Sequence, residues 1–238
     1  MQKEMKILAI IPARGGSKRV LRKNIKQLAG KPLIWYSIEH AQRSKYVNRI
    51  IVSTEDEEIS KIALSCGAEV PFLRPIELAG DSVTDFFVFE HALKWMAENE
   101  EYFPDLVVQL RPTSPLRSID DVDSAIELLI NSPDVDSVRS VIEAEPSPYK
   151  MYAIGANGLL DPVIKWGGSS ENFNLPQQEL PKAYRHIGTV DVIWPKTILE
   201  KKKMSGEKIL PFIVQSAYPG INTEKDWEFY EFLFQNGK

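Results

Sequence analysis

The stretch "IPARGGSKRVLRKN", Ile11 to Asn24, follows an apolar run and gathers Arg14, Lys18, Arg19, Arg22 and Lys23 without one acid. Gly15 and Gly16 sit among them. Ligands of open parallel α/β sheets bind beyond the carboxyl ends of the strands, where a glycine-containing loop lets backbone N–H groups approach phosphate oxygens. Arg14, Lys18 and Lys23 would add charge-assisted hydrogen bonds to several oxygens. No Asp or Glu occurs from Ile11 through Ile38, so the positive field stands uncancelled. These residue types at this spacing predict a polyphosphate site. Taken alone, the run also fits a solvated basic turn.

Familiar motifs do not account for it. The loop lacks G-x-x-x-x-G-K-[ST], and Gly15-Gly16-Ser17 is not G-x-G-x-x-G, so neither a P-loop nor a dinucleotide fingerprint is present. No G-x-S-x-G nucleophile elbow occurs either.

Such a loop needs a frame to aim it. Short β-branched runs alternate with helical patterns, which predicts βαβ units and a mainly parallel sheet. Lys6–Pro12, Arg49–Thr54, Asp105–Leu110 and Asp136–Ile142 read as strands. "PLIWYSIEHAQRS", "EEISKIALSCG" and "SVTDFFVFEHALKWMAENE" read as helices, the third starting from a Ser82 cap and reaching about Glu98. Gly67 should stop the second. A further helix follows Ser118, with Ile119, Val122, Ile126 and Leu129 on one face. Residues 149–185 are irregular, with "NG", "WGGSS" and "LPQQELP" as turns. "GTVDVIW" (Gly188–Trp194), a short helix near Lys196–Lys203, "KILPFIV" and a helix from Glu224 then restore the pattern.

Global numbers agree with one large α/β domain: 238 residues, 43% hydrophobic and 26% charged. A net charge of -4 argues against a general nucleic-acid binder, since positive charge here is local. One cysteine, Cys66, excludes an intramolecular disulfide, and no Cys/His cluster has zinc-ligand spacing. Without a run of roughly 18 apolar residues, neither a signal peptide nor a membrane span is expected. A cytoplasmic protein is the expectation.

Six blocks, "IPARGGSKRVLRKN", "GKPLIWYSI", "IIVSTEDEEI", "VPFLRPIELAGD", "LRPTSPLR" and "QQELPKAYR", occur in that order. Together they resemble the acylneuraminate cytidylyltransferases, also called CMP-sialic acid synthetases, over about Lys6 to Phe234. The resemblance implies a three-layer, Rossmann-like α/β nucleotidyltransferase fold with a mainly parallel sheet. It implies one domain, 1–238, in which 149–187 forms a small dimerisation arm that closes over a partner's sugar site; the other reading of this segment is a surface loop. The implied partners are CTP, a sialic-acid-like nine-carbon 2-keto sugar and a second copy of the chain, with neither nucleic acid nor membrane. Mg2+ is the implied cofactor, and CMP-sugar and pyrophosphate the products.

By the same resemblance, Ala13, Arg14, Gly15, Gly16, Ser17, Lys18, Lys23, Asn24, Arg74 and Ser114 are expected to bind the nucleotide. Lys23 is placed nearest the α-phosphate and Arg74 near the cytosine, although Arg74 could instead pair with Glu77. Arg14, Lys23, Arg111 and Arg185 are the expected catalytic groups, Arg185 suiting a bidentate grip on the sugar carboxylate. Arg117 is expected to be structural. His40 and His91 are expected to be partly exposed surface residues, and His186 adjoins Arg185 where it would touch the sugar.

The departures concern the sugar and the metal. Many family members have Gln where this chain has Arg111, and Arg where it has Gln177. Its metal site reads Asp-x-Asp-Thr, whereas "PGINTEKD" puts Gly220 and Asn222 at the carboxylate positions. A hard cation prefers carboxylates, so Asn222 keeps a carbonyl oxygen but gives up a charge. Asp191 and Asp226 are the substitute ligands, against their readings as a buried hydrogen-bonded carboxylate and a first-turn helix acid. An eight-carbon 2-keto acid as acceptor, a different NTP, or a catalytically impaired nucleotide-binding homologue are the alternatives.

Overall fold

The structure, a computed structural model, describes residues 5–167, 171–215 and 218–237. The last three residues of the "WGGSS" turn, which belong to the expected arm, lie outside the described residues.

In chain order the strands are β1 (Ile7–Pro12), β2 (Gln27–Leu28), β3 (Lys31–Pro32), β4 (Arg49–Ser53), β5 (Leu106–Gln109), β6 (Ser137–Glu143), β7 (Tyr152–Ile154), β8 (Leu160–Pro162), β9 (Tyr184–Ile193) and β10 (Ile209–Ile213). The α-helices are α1 (Leu33–Arg43), α2 (Glu57–Ser65), α3 (Asp85–Glu100), α4 (Ile119–Ile130), α5 (Pro195–Leu199) and α6 (Glu224–Gln235). Among the described residues one sheet has the order β10-β6-β9-β5-β1-β4. β1 runs parallel to β4 and β5, and β10 parallel to β6, while β9 is antiparallel to both its neighbours. The carboxyl ends of β1, β4, β5 and β6 therefore share one edge, and β9 starts there.

β1 is buried on both sides, as a central parallel strand covered by helices must be. Ile7, Ala9 and Ile11 pack with Ile34 and Ile38 of α1, Ile59 of α2, and Val122 and Ile126 of α4. Leu8 and Ile10 face the other way, against Val88, Phe89 and Met96 of α3 and Ile198 of α5. Each fully buried aliphatic side chain contributes roughly 1.5–3 kcal/mol, so the two faces together hold three layers. A third cluster joins Val20 and Leu28 of the first crossover to Ile221, Trp227 and Tyr230 around α6.

Three boundaries differ from expectation. Thr84, not Ser82, is the N-cap of α3, with no side-chain cap hydrogen bond, and α3 continues to Glu100 before Glu101 turns into the left-handed region at φ 50°. β9 begins at Tyr184, four positions early, because it keeps pairing with β6 past an irregularity between Arg139 and Val141. The irregular 149–185 segment contains an antiparallel β7–β8 hairpin and short 3-10 turns. Ile154, Leu159, Leu160 and Val163 of that segment are all exposed. Thr223 and Asp226 form a reciprocal capping box that starts α6. Among the described residues no helix is long and apolar enough to cross a membrane.

Candidate active site

A cavity of about 300 Å³ opens beyond the carboxyl ends of β1 and β5, walled by Arg14, Ser17, Lys18, Lys23, Asn24, Arg74, Arg111 and Asn222. Arg19, Asp81 and Asp85 also reach it. The sheet brings the two strand ends together, and Asn222, in the turn before α6, closes the third side.

The basic loop is braced from several directions. Asn24 is buried and donates Nδ2 to the Arg14 carbonyl oxygen at 2.9 Å, which fixes the backbone that carries the Arg14 side chain. Arg14 Nη2 lies 2.9 Å from Asp81 Oδ1, and the other Asp81 oxygen takes Lys18 Nζ. Lys23 donates Nζ to the Ile221 carbonyl oxygen at 2.9 Å. Burial, reinforced by the charges of Arg19 and Arg14 and opposed by Asp226, pushes the Lys23 ammonium down to about 8.

The glycines act differently from what the loop's composition suggests. The Gly15 N–H is already committed: it donates to Glu55 Oε1 at 2.7 Å, and is not free for phosphate. Gly15 is required for space, since a Cβ there would collide with the Asp56 carboxylate. Asp56 caps α2, accepting from the Glu58 and Ile59 N–H groups at 3.0 Å, and pairs with Arg22. A Cβ on Gly16 would meet nothing.

Glu55 also answers the question of Arg74. Arg74 Nη2 donates to Glu55 Oε2 at 2.8 Å, so the partner is Glu55 and not Glu77. Both side chains are nearly inaccessible, at 3% and 10% exposure. Arg74 Nε is buried without a hydrogen-bond partner, beside the cavity its side chain helps to wall.

At the far wall Arg111 Nη2 and Gln109 Nε2 both donate to Asp85 Oδ2 at 2.7 Å. The Arg111 guanidinium lies against Gly188, whose φ of 65° and missing side chain leave the room it needs. Arg117 is structural, as expected: fully buried, it donates to the Thr189 and Arg111 carbonyl oxygens and to Ser37 Oγ. His40 corrects the expectation of a surface histidine, since it is buried beside Arg117, and burial with the charges of Arg117 and Arg43 lowers it to about 3. His91 is likewise lowered by burial.

The remaining expected residues stand apart from the cavity. Ala13 is buried and its N–H bonds the Ser53 carbonyl oxygen at 3.0 Å. Ser114 is buried at a separate, smaller cleft with Arg117, Thr189 and Tyr230. Arg185 is exposed at the start of β9. Sequence reasoning missed Glu55, Asp81 and Asp85. Their signal was position: "STED" directly ends β4 and "GDSVTD" directly precedes α3, which places all three at the strand-end edge.

A magnesium cage is not what these residues build. Asp226 Oδ2 accepts from the Asn222 N–H at 2.8 Å and from the Thr223 N–H and Oγ1, as the helix reading requires. Asp191 is buried and faces His186 and Arg139. Asn222 reaches the cavity, but its Nδ2 is held by the Gly220 carbonyl oxygen at 3.0 Å. Asp81 and Asp85 are each paired to cations. Among the described residues no group of three or more His, Cys, Asp or Glu is placed to hold a metal. Asp191 and Asp226 thus stand as their other readings put them, a buried hydrogen-bonded carboxylate and a first-turn helix acid.

What this arrangement can do is hold and neutralise a polyanion, with cationic donors on two walls. Comparison with known proteins points the same way. Residues 8–154 match the family described as cytidylyltransferase. CMP-N,N'-diacetyllegionaminic acid synthase of Legionella pneumophila is 34% identical over 234 residues, 97% of each chain. Pseudaminic acid cytidylyltransferase of Campylobacter jejuni is 32% identical over 235 residues, again 97% of each. The solved structure of CMP:2-keto-3-deoxy-manno-octonic acid synthetase complexed with CTP superposes with a TM-score of 0.73, covering 98% of this chain and 100% of that one, at 17% identity, and so supports the fold alone. With the cationic cavity at the strand ends and relatives aligned from end to end, this chain belongs to the cytidylyltransferase family.

Proposed function

We propose that this enzyme joins CTP to a nine-carbon 2-keto sugar acid of the legionaminic, pseudaminic or neuraminic kind, releasing CMP-sugar and pyrophosphate. The observation that carries the reading is the convergence of Arg14, Lys18 and Lys23 on one cavity at the β1 strand end. The sugar class follows from the near full-length relatives, whose names specify legionaminic and pseudaminic acids.

In this reading a sugar hydroxyl attacks the α-phosphorus in line, and the protein contributes positioning and counter-charge. Arg14 and Lys18 exchange Asp81 for the outer phosphates. Lys23, anchored on Ile221, meets the charge that grows at the α-phosphate. Arg74, held by Glu55, sits beside the cytosine edge. Arg111 marks the acceptor end, and exposed Arg185 is there to meet the sugar carboxylate. No step is assigned to a protein-held metal. The exposed apolar side chains of the 149–187 segment support its reading as a dimerisation arm, which light scattering on the purified protein would test. A nucleoside triphosphate substrate and the single Cys66 fit a cytoplasmic setting.

The test is pyrophosphate release from each of the four NTPs against a panel of eight- and nine-carbon 2-keto acids, with magnesium or manganese titrated. CTP turnover with a nine-carbon acid is expected, and turnover with GTP alone would refute it. Asn222 at the carboxylate position favours one second reading, a nucleotide-binding homologue without catalysis. CTP binding with no turnover at any metal concentration would establish it.

A further inference from the structure

Across three strands Gln109 of β5, Asp191 of β9 and Arg139 of β6 stand in register. Gln109 bonds Asp85 in the first turn of α3, so the row lies on the α3 side of the sheet. His186, from the start of β9, folds onto it and brings Nε2 to 3.0 Å from both oxygens of Asp191. The Asp191 side chain is 4% exposed and that of His186 is 29% exposed. Burial alone would raise the Asp191 carboxyl, but the His186 hydrogen bond and the neighbouring guanidinium groups of Arg139 and Arg111 hold it below its ordinary range.

An ionised carboxylate against one ring nitrogen keeps a proton there, as the buried acid of a catalytic triad does, and leaves the lone pair on the other nitrogen. That other nitrogen, Nδ1, faces Arg139 Nη2 across a long 3.3 Å contact. Arg139 Nε is buried with no acceptor, and its Nη2 reaches Asp191 Oδ2 only at a long 3.4 Å. Two residues along β9, Gly188 cradles Arg111, which walls the triphosphate cavity. His186, two residues before Gly188, thus shares with Arg111 the α3 side of the strand-end edge.

We propose that His186, oriented by Asp191, accepts the proton of the attacking sugar hydroxyl. The inference rests on the cytidylyltransferase reading above, which supplies the hydroxyl and the α-phosphorus. In the step, the acceptor O–H bond breaks and its proton goes to His186 Nδ1. The oxygen forms the new bond to the α-phosphorus, and the bond from that phosphorus to the β-phosphate bridging oxygen breaks. Pyrophosphate leaves with the electron pair, and His186 returns the proton to water. Arg139 swings from Nδ1 to a polar substituent of the sugar as the hydroxyl takes its place. His186 is the catalytic residue of this assignment, and Asp191 a positioning residue.

The experiment uses the full chain with CTP and whichever sugar acid it turns over. His186→Ala should lower kcat about 100-fold while the CTP dissociation constant stays within about twofold, and added imidazole should restore part of the loss. Asp191→Asn should lower kcat about tenfold and shift the 15N signature of His186 away from the Nε2-protonated ring. A His186→Ala kcat within about twofold of wild type would overturn the assignment, as would a loss confined to the sugar KM without imidazole rescue. If the wild-type chain turns over no sugar with any NTP, the functional reading itself fails. The 15N spectrum still decides the orientation: a ring protonated on Nδ1 in the wild type overturns it.

Discussion

Lys23 Nζ donates to the Ile221 carbonyl oxygen at 2.9 Å, tying the loop after β1 to the turn before α6. Val20 and Leu28 on one side and Ile221, Trp227 and Tyr230 on the other bury together around that tie. The ammonium is thus positioned by packing from both ends of the chain. A single neutral acceptor leaves it two N–H donors for an incoming anion.

Lys23→Ala should lower kcat by about 100- to 1,000-fold and weaken CTP binding by less than about tenfold, because the charge it meets is larger in the transition state. Single-turnover kinetics beside calorimetric CTP binding separate the two. Equal losses in both would contradict the role.

CTP binding should also take up a proton in alkaline solution. Burial with the charges of Arg19 and Arg14 lowers Lys23 to about 8 in the free protein, so the side chain is charged below that pH and neutral above it. A triphosphate favours the charged form and raises the value again in the complex. Affinity should therefore fall as pH rises past about 8, with proton uptake visible as a dependence of the calorimetric heat on buffer ionisation enthalpy. Lys23→Met should abolish that dependence.

Gly15→Ala and Gly16→Ala should part company. A Cβ on Gly15 collides with the Asp56 carboxylate, which caps α2, whereas one on Gly16 meets open space. We expect Gly15→Ala to cost about 1–3 kcal/mol of unfolding free energy and Gly16→Ala no more than about 0.5 kcal/mol. Denaturant unfolding of the two variants checks this.

Glu55→Gln removes the charge that faces the buried Arg74 guanidinium while keeping the side chain's shape. A loss of about 2 kcal/mol is expected, short of the full cost of an unpaired buried ion because the amide oxygen still accepts a hydrogen bond. The same variant should weaken discrimination of CTP from UTP, since Arg74 is no longer held in place. Unfolding and competition binding measure the two effects.

Asp81→Asn should tighten CTP binding by about two- to fivefold. Asp81 holds Arg14 and Lys18, so a triphosphate has to displace it. The gain should shrink as salt is added, because the groups are exposed. Unchanged or weaker binding at low salt would show that Asp81 helps to hold the nucleotide.

The frame of the molecule was legible because its central strands, β1 and β5, are buried on both sides and read as unbroken apolar runs; Ile7 to Ile11 permits little else. The helix start at Glu224 and the stop at Gly67, with φ 88°, were legible for the same local reason. What escaped is long-range. Nothing in "ARGGSK" announces that Glu55, 40 residues on, takes the Gly15 N–H. The acids of "STEDEEI" look alike in sequence, yet Glu55 holds Arg74, Asp56 caps α2 and Glu58 meets Arg22. The start of β9 was hidden because Tyr184, Arg185 and His186 are exposed and show no alternation; only pairing with β6 makes them strand. Asp191 and Asp226 could each be read from the sequence as a metal ligand or as an engaged carboxylate, and only the fold shows what engages them, His186 for one and the Asn222 N–H for the other.

The most direct test is a crystal structure of the chain with CTP. The account predicts the triphosphate between Arg14, Lys18 and Lys23, its α-phosphate within hydrogen-bond reach of Lys23 Nζ and the base beside Arg74. Nucleotide density away from Arg14 and Lys23 would contradict it.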